Sequence, residues 1–387
     1  MKYSQPIYLV AARRSPIGRF GGGLKSLAPT DLLLPVAEAV VPPPLNVAID
    51  QVILGQVIQA GSGMNVARQL SLRLGVPQSS PAFTVNMVCA SGLKSITLAA
   101  DAIAAGEASL VLAGGVESMS RAPHYAMDVR WGKKLGDTAL VDAIFSDGLC
   151  DPVIQLGMGE TAERVASLLK ISREEQDHFA FTSQGRALAN RPAMQREMVT
   201  LKTPHGDVTA DEHPRADTTL ETLAQLKPAF RSTGTVTAGN SSGINDGAAL
   251  VLVASDASLE RYALQPRARI IGATGIGCDP SMMGLGPVGA IRKLCKETGW
   301  ELEDVDTVEI NEAFAAQVLG CAMELRLDLA KLNQRGGAIA MGHPIGCSGA
   351  RILVTLLHIM EDLKLKRGIA SLCVGGGMGI AIAIERV

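Results

Sequence analysis

Two hydrophobic rhythms share this chain. Short β-branched runs alternate with Ala- and Leu-rich stretches of helical spacing over residues 1–118, and the same texture resumes from Ala268 to the end. Such alternation is the mark of an α/β fold. Strands are predicted near 52–57, 83–88 and 109–113. Between Ser91 and Ala105 the apolar positions Leu93, Ile96, Ala100 and Ile103 recur on one helical face, and Gly106 supplies a stop. From about 119 to 243 the rhythm fades into Pro-, His-, Asp- and Arg-rich sequence, with helices predicted only near 159–169 and 172–189. DGAALVLVAS then reads as one more core strand. Three units follow: a first core half over 1–118, completed by about 244–267; an inserted loop domain over 119–243; and a second core half over 268–387.

The core halves also resemble each other. TVNMVCASGL, a helix and SLVLAGGVESM parallel AMGHPIGCSGA, a helix and ASLCVGGGMGI. Both place Ser-Gly at a helix start, and both follow the helix with an apolar strand ending in a Gly run (Gly114–Gly115; Gly375–Gly377). This points to an ancient duplication.

Composition narrows the partners. With 47% hydrophobic and 19% charged residues among 387, the chain has material for a large buried core. A net charge of −2, with acidic and basic residues interspersed, argues against nucleic acid or an anionic membrane as the main partner. No apolar run reaches a membrane span, since Ile369–Ile384 is broken by glycines. The seven cysteines (89, 150, 278, 295, 321, 347, 373) are odd in number and widely spaced, as expected of reduced thiols in the cytoplasm. With no C-x-x-C pair and no closely spaced histidines, no metal site is expected. The N-terminus reads as carrying no export signal, and the C-terminal ERV as no peroxisomal one.

Chemistry concentrates in four segments. Cys89 lies between a strand-like run and the helix starting near Ser91, where backbone N–H groups and the helix dipole favour a thiolate. A lone Cys can equally be a small buried hydrophobe. His343, in GHPIGCSGAR, is held in a loop by Gly342 and Pro344 before the Ser348-Gly349 pair opens the next helix, although a buried polar network could use it as well. Of the other histidines only His124 competes. Cys373 precedes Gly375–Gly377, where a backbone can approach a ligand closely; the alternative is again a core cysteine. Asn311 and Glu312, in NEAFAAQ, sit at a strand-to-helix corner where polar residues usually cap, or where the Asn311 amide could hold a water or substrate oxygen. GRFGGG (18–23) lacks any dinucleotide or Walker spacing and is assigned to a turn. Met158 and Met283, each beside glycine, could line an apolar tunnel or fill core.

Taken together, NMVCASGL, NEAFAAQ, GHPIGCSGAR and CVGGGMG, in this order and at these separations, resemble the thiolase family. The likeness spans almost the whole chain and includes GGVESMSRAPH, MGETAERVA, GTVTAGNSSGINDGAA and the MGLGP turn. It implies a layered core of two pseudo-symmetric βαβαβαββ halves with an inserted loop domain, and acyl transfer that makes or breaks the carbon–carbon bond of a 3-oxoacyl-coenzyme A. By this resemblance Cys89 is the acyl-accepting nucleophile, His343 activates it, and Cys373 is the acid/base. Asn311 would hold the water that completes one oxyanion hole with His343, while backbone N–H groups of Cys89 and Gly375 form a second. Arg215 and Ser242 match positions near the nucleotide and pantetheine, and Met158 and Met283 the tunnel. Coenzyme A and acyl-CoA are then substrates, with no tightly bound cofactor, and a homodimer or homotetramer is implied, with segment 124–140 a candidate contact. One departure stands out: short-chain members carry His before the Met-Gly of the tunnel, where this chain has Gly157. Other condensing enzymes of the same fold pair the Cys with two His or with His and Asn, a Cys-His hydrolase would recruit Asn311 as orienter, and a non-catalytic acyl-CoA-binding relative would keep the fold without turnover.

Overall fold

A computed structural model describes residues 1–387. The first half runs through β1 (Ile7–Arg14), α1 (Pro29–Val40), β2 (Gln51–Gly55), α2 (Val66–Arg73), β3 (Ala82–Val85), α3 (Ser91–Ala104) and β4 (Leu110–Ser118). A long excursion carrying α4 (Met158–Leu169) and α5 (Arg173–Ala189) then leads to β5 (Asn245–Ser255). The second half follows as β6 (Ala268–Gly277), α6 (Gly286–Thr298), β7 (Thr307–Ile310), α7 (Ala315–Leu325), α8 (Ile345–Asp362), β8 (Arg367–Val374) and β9 (Met378–Arg386).

The strands form one mixed sheet ordered β7-β8-β9-β6-β1-β5-β4-β2-β3. Parallel pairing occurs where a helix intervenes, at β2 with β3 and β4 and at β7 with β8, and the strands around β5 and β9 are antiparallel. A single parallel bridge, Val308 to Leu332, occupies in the second half the place of β3. Within the sheet the halves join through the short β1–β6 pairing, Tyr8 with Arg269 and Leu9 with Ala268, beside an isolated bridge from Lys2 to Gly272. Each half thus repeats the other's strand order, as the duplicated motifs lead one to expect.

Burial shows how this sheet layers with helices. On β5, Ala249, Val251 and Val253 face one core while Ala248, Leu250 and Leu252 face another, so the strand reads as an unbroken apolar run. The first of these cores gathers inward residues of both sheet halves around α3 and α8, including Ile96, Ile103, Leu353 and Leu357. α1 and α2 cover the outer face of one half, α6 and α7 that of the other. α8 is buried along 16 of its 18 residues.

Glycines let α3 and α8 meet backbone to backbone. A Cβ on Gly92 would lie 2.8 Å from Gly346 O, one on Gly349 2.4 Å from Leu93 N, and one on Gly115 2.1 Å from Gly346 O. This explains two departures from the sequence reading. Gly114 and Gly115 do not end a strand but lie inside β4, where the backbone of β5 presses on Gly114 and the helix pair on Gly115. Helix α8 starts at Ile345, not at Ser348, so the Ser348 hydroxyl is free to face backwards rather than cap. No helix is long and apolar enough to cross a membrane.

Candidate active site

Cys89 sits on a strained turn between β3 and α3. Val88, a β-branched residue, has φ +46°, a conformation such residues rarely adopt. Its neighbours' side chains hold it there: Asn86 Oδ1 accepts from Val88 N at 2.9 Å, and Ser91 Oγ donates to Val88 O at 2.7 Å while accepting from Met87 N at 2.9 Å. The Cys89 side chain therefore turns away from the core helix into a cavity of about 550 Å³. His343 and Cys373 open into the same cavity, as do Met158, Met283, Arg215 and Ser242. Phe230 and Phe314, edge to face at 5.9 Å, also line it.

The two thiols and the imidazole are all neutral at rest. Burial pushes Cys89 up to about 11, opposed by hydrogen bonds from the N–H groups of Gly375 and of Cys89 itself. Desolvation thus outweighs the helix-terminus effect that favoured a thiolate. Burial, then the proximity of Cys89, holds Cys373 well above the ordinary thiol range. Burial, followed by the positive charge of Arg351, drives His343 down to about 3.

His343 is fixed from two sides. Its backbone N–H donates to Asn245 Oδ1 at 3.0 Å, and Nδ1 lies 2.6 Å from Ser348 Oγ. Ser348 has one proton, which it gives to Pro344 O at 2.9 Å, so it accepts from Nδ1–H and leaves Nε2 with a lone pair. Asn311 Nδ2 lies against the same ring, 3.4 Å from Nε2 and 3.5 Å from Nδ1. Asn311 is 1% exposed and its Oδ1 has no protein partner.

Asn311 and Glu312 do not cap a helix. α7 begins at Ala315 behind Phe314, without a side-chain cap, because both polar residues are turned inward. Glu312 accepts from Ser183 Oγ at 2.6 Å and Asn333 Nδ2 at 2.9 Å, tying the excursion to the second half. The segment is further stitched by Ser242 N to Ala313 O at 2.9 Å. Met158 begins α4, 3.3 Å from where a Cβ on Gly375 would stand; Met283 lies in the turn before α6. Arg215 is exposed at the rim, its N–H donating to Gln184 Oε1 at 3.0 Å. His124 lies on a short exposed strand and does not line the cavity.

Two groups escaped the sequence reading. His213, one of the histidines set aside in favour of His124, lines the cavity and is driven down to about 4 by burial and by Arg215 and Arg19. Glu117 is fully buried and accepts from Val57 N, Ile58 N and Gly346 N, clamping the start of α8 to β4. Its only signal was a carboxylate ending an apolar strand.

Comparison with known proteins agrees with this geometry. The thiolase N-terminal domain model matches residues 7–257 and the thiolase C-terminal domain model residues 264–386. The chain is 49% identical to an acetyl-CoA acetyltransferase of Chromobacterium violaceum over 98% of its own length and 99% of the relative's. It is 47% identical to a probable acetyl-CoA acyltransferase of Staphylococcus aureus, over 98% and 99%. Among solved structures, Bacillus anthracis acetyl-CoA acetyltransferase superposes with TM-score 0.96 at 44% identity, covering 100% of both chains. Human mitochondrial 3-ketoacyl-CoA thiolase in complex with CoA superposes with TM-score 0.97 at 43% identity, covering 100% of this chain and 99% of that one. With both domain models matched in order and relatives aligned end to end, the chain belongs to the thiolase family.

Proposed function

We propose that this thiolase cleaves a 3-oxoacyl-coenzyme A with free coenzyme A, or runs the reverse condensation, through an acyl group carried on Cys89. The observation that carries the assignment is the convergence of Cys89, Cys373 and His343 on one cavity, with the Gly375 N–H at the Cys89 sulfur. In the cleaving direction the Cys89 thiol gives its proton to His343 Nε2 and its sulfur bonds to the 3-oxo carbon. The Cα–C3 bond breaks, and the released enolate takes the Cys373 proton. Coenzyme A then surrenders its thiol proton to the Cys373 thiolate and attacks the acyl carbon; Cys89 leaves and recovers its proton from His343. Every group ends as it began.

High proton affinity suits Cys373 to this role, since it must hold a proton until a carbanion-like centre appears. The N–H groups of Cys89 and Gly375 face the position where the thioester oxygen gains charge, and Asn311 with His343 faces the other. Coenzyme A itself is assigned to the rim at Arg215 and Ser242, with Met158 and Met283 flanking the pantetheine arm. Gly157 in place of a histidine, together with the apolar wall of Met119, Phe145, Leu149 and Ile345, supports acyl chains longer than acetoacetyl.

The reading extends to assembly as a homodimer or homotetramer. It is supported by exposed apolar side chains between 124 and 140, among them Trp131 at 93% and Leu135 at 91% exposure. Seven unpaired cysteines support a reducing, cytoplasmic setting.

The test is thiolysis of acetoacetyl-CoA and of a medium-chain 3-oxoacyl-CoA by wild type and Cys89→Ala. Turnover that disappears in the variant supports the assignment. Acyl-CoA binding without turnover in the wild type would overturn it.

A further inference from the structure

The GRFGGG turn and His213 have no part in the reaction above, yet one side chain joins both to the backbone of His343. Asn245, the first residue of β5, is fully buried and does not line the cavity. Two partners fix which way its amide faces: Oδ1 accepts from His343 N–H at 3.0 Å, and Nδ2 donates to Gly18 O at 2.9 Å. Turned over, the amide would set N–H against N–H and oxygen against oxygen. The loop that carries His343 offers no other backbone donor. Gly342 N–H still bonds back to Ala338 O at 2.8 Å, and Pro344 has no N–H to give.

Packing holds the same amide in place. Gly342 has φ +104°, and a Cβ there would lie 2.3 Å from Asn245 Cγ and 2.4 Å from both Oδ1 and Nδ2. The flat amide thus fills the space that a side chain at 342 would take. A Cβ on Gly243 would lie 3.0 Å from Asn245 Oδ1 and 2.4 Å from His213 Cε1. His213 Nδ1 stands 3.5 Å from Asn245 Nδ2, a packing contact more than a hydrogen bond. On the far side, Glu212 accepts from Arg19 N at 2.9 Å and Gly23 N at 3.0 Å, which binds the turn to the segment carrying His213 and Arg215.

We propose that Asn245 is a positioning residue for this reaction: its amide sets the backbone of Gly342 and His343 against the turn at Gly18, and so sets the reach of the imidazole toward Cys89. The proposal rests on the assignment of Cys89 and His343 given above. Ser348 selects the tautomer of the ring, and Asn245 places the backbone from which the ring extends. Without the amide, Gly342 is the residue most free to rotate. A small rotation there is magnified at Nε2, several bonds away. Proton transfer from the Cys89 thiol needs Nε2 within hydrogen-bond reach of the sulfur, so the rate falls steeply with such a displacement.

The experiment compares wild type with Asn245→Ala, Asn245→Asp, His343→Gln and the double variant Asn245→Ala/His343→Gln. Each is measured for kcat and KM in thiolysis, and for the rate at which iodoacetamide alkylates Cys89, which does not depend on turnover. In Asn245→Ala, kcat falls by about tenfold or more while KM stays within about threefold, because the amide lies outside the cavity. The alkylation rate falls with kcat. In the His343→Gln background the same substitution changes both readouts by less than about twofold, since the residue it acts through is gone. Asn245→Asp keeps an acceptor for the His343 N–H and recovers most of kcat, although its second oxygen meets the Gly18 carbonyl. If Asn245→Ala does not fold, Asn245→Ser, whose hydroxyl is one atom too short to reach the His343 N–H, replaces it in every comparison. The proposal is overturned if kcat is unchanged without the amide. It is overturned equally if the loss is as large in the His343→Gln background as in wild type, or if Asn245→Asp is no better than Asn245→Ala; either would mark a structural role only. Wild-type rates in His343→Gln would instead remove the catalytic assignment on which the proposal stands, whatever Asn245→Ala does.

Discussion

Gly349→Ala is the sharpest test of how the fold delivers the site. The added methyl would lie 2.4 Å from Leu93 N, 2.8 Å from Leu93 Cβ and 3.1 Å from Leu93 Cα. Two of those atoms are backbone of α3, so no rotamer change relieves the overlap; α3 and α8 must move apart. Alanine in a helix interior is intrinsically better than glycine by about 1 kcal/mol. Overpacking of a rigid core costs about 1–3 kcal/mol and sometimes more. Because the clash is with backbone, the upper end of that cost applies and the net loss is about 2 kcal/mol, read by urea unfolding with refolding checked. Activity should suffer beyond stability, because α3 carries the Cys89 turn at its start and α8 begins two residues after His343. A folded fraction of the variant at low temperature should therefore show kcat down by about tenfold or more, in line with the sensitivity of catalysis to sub-ångström misplacement. Unchanged stability with unchanged kcat would refute the claim that backbone contact between these helices sets the distance between nucleophile and base.

Ser348→Ala removes the acceptor that selects the His343 tautomer; kcat/KM should fall by about tenfold, with urea stability reduced by only about 1 kcal/mol. Lowered from 6.5 to about 3, His343 stays neutral in the folded state where the unfolded chain is protonated, so its contribution to stability is complete above pH 6.5 and is lost as pH falls toward 3. A His343→Gln variant should accordingly show a shallower acid decline than wild type in unfolding measured between pH 7 and 4, the difference approaching about 1.4 kcal/mol per pH unit. Glu117, raised to about 7 by burial, has the opposite sign: its contribution is complete below pH 4.5 and is lost as pH rises through 7. Glu117→Gln, which turns an amide nitrogen toward N–H donors, should cost about 2 kcal/mol at pH 5, and the gap to wild type should narrow by pH 8.

Much of this was readable from local pattern. The β-branched strand runs and the 91–104 helix were visible because each element's apolar pattern is set by the layers it packs on. Cys89, His343, Cys373, Met158 and Met283 meet in one cavity, each beside a Gly, Pro or element end that the sequence had already marked. What stayed hidden depends on contacts distant in sequence. Asn311 and Glu312 looked like caps because that is the usual fate of polar residues at a strand-to-helix corner; only the approach of Ser183, Asn333 and His343 turns them inward. Ser348 looked like a helix start because nothing local reveals that Pro344 already caps α8. Gly114 and Gly115 looked like a strand end because the neighbours that need their missing side chains, β5 at Ala249 and α8 at Gly346, are distant in sequence. The protonation of Cys89 was misjudged for the same reason: the helix terminus is local and legible, whereas burial is a property of the whole cavity.

The central claim is that one thiol carries the acyl group and the other only a proton. Intact-protein and peptide mass spectrometry after brief incubation with acetyl-CoA, in the absence of free coenzyme A, addresses it directly. One acetyl group on Cys89, present also in Cys373→Ala and absent from Cys89→Ala, is the expected result. Acetyl on Cys373, or none on either cysteine while acetyl-CoA still binds, would contradict the account.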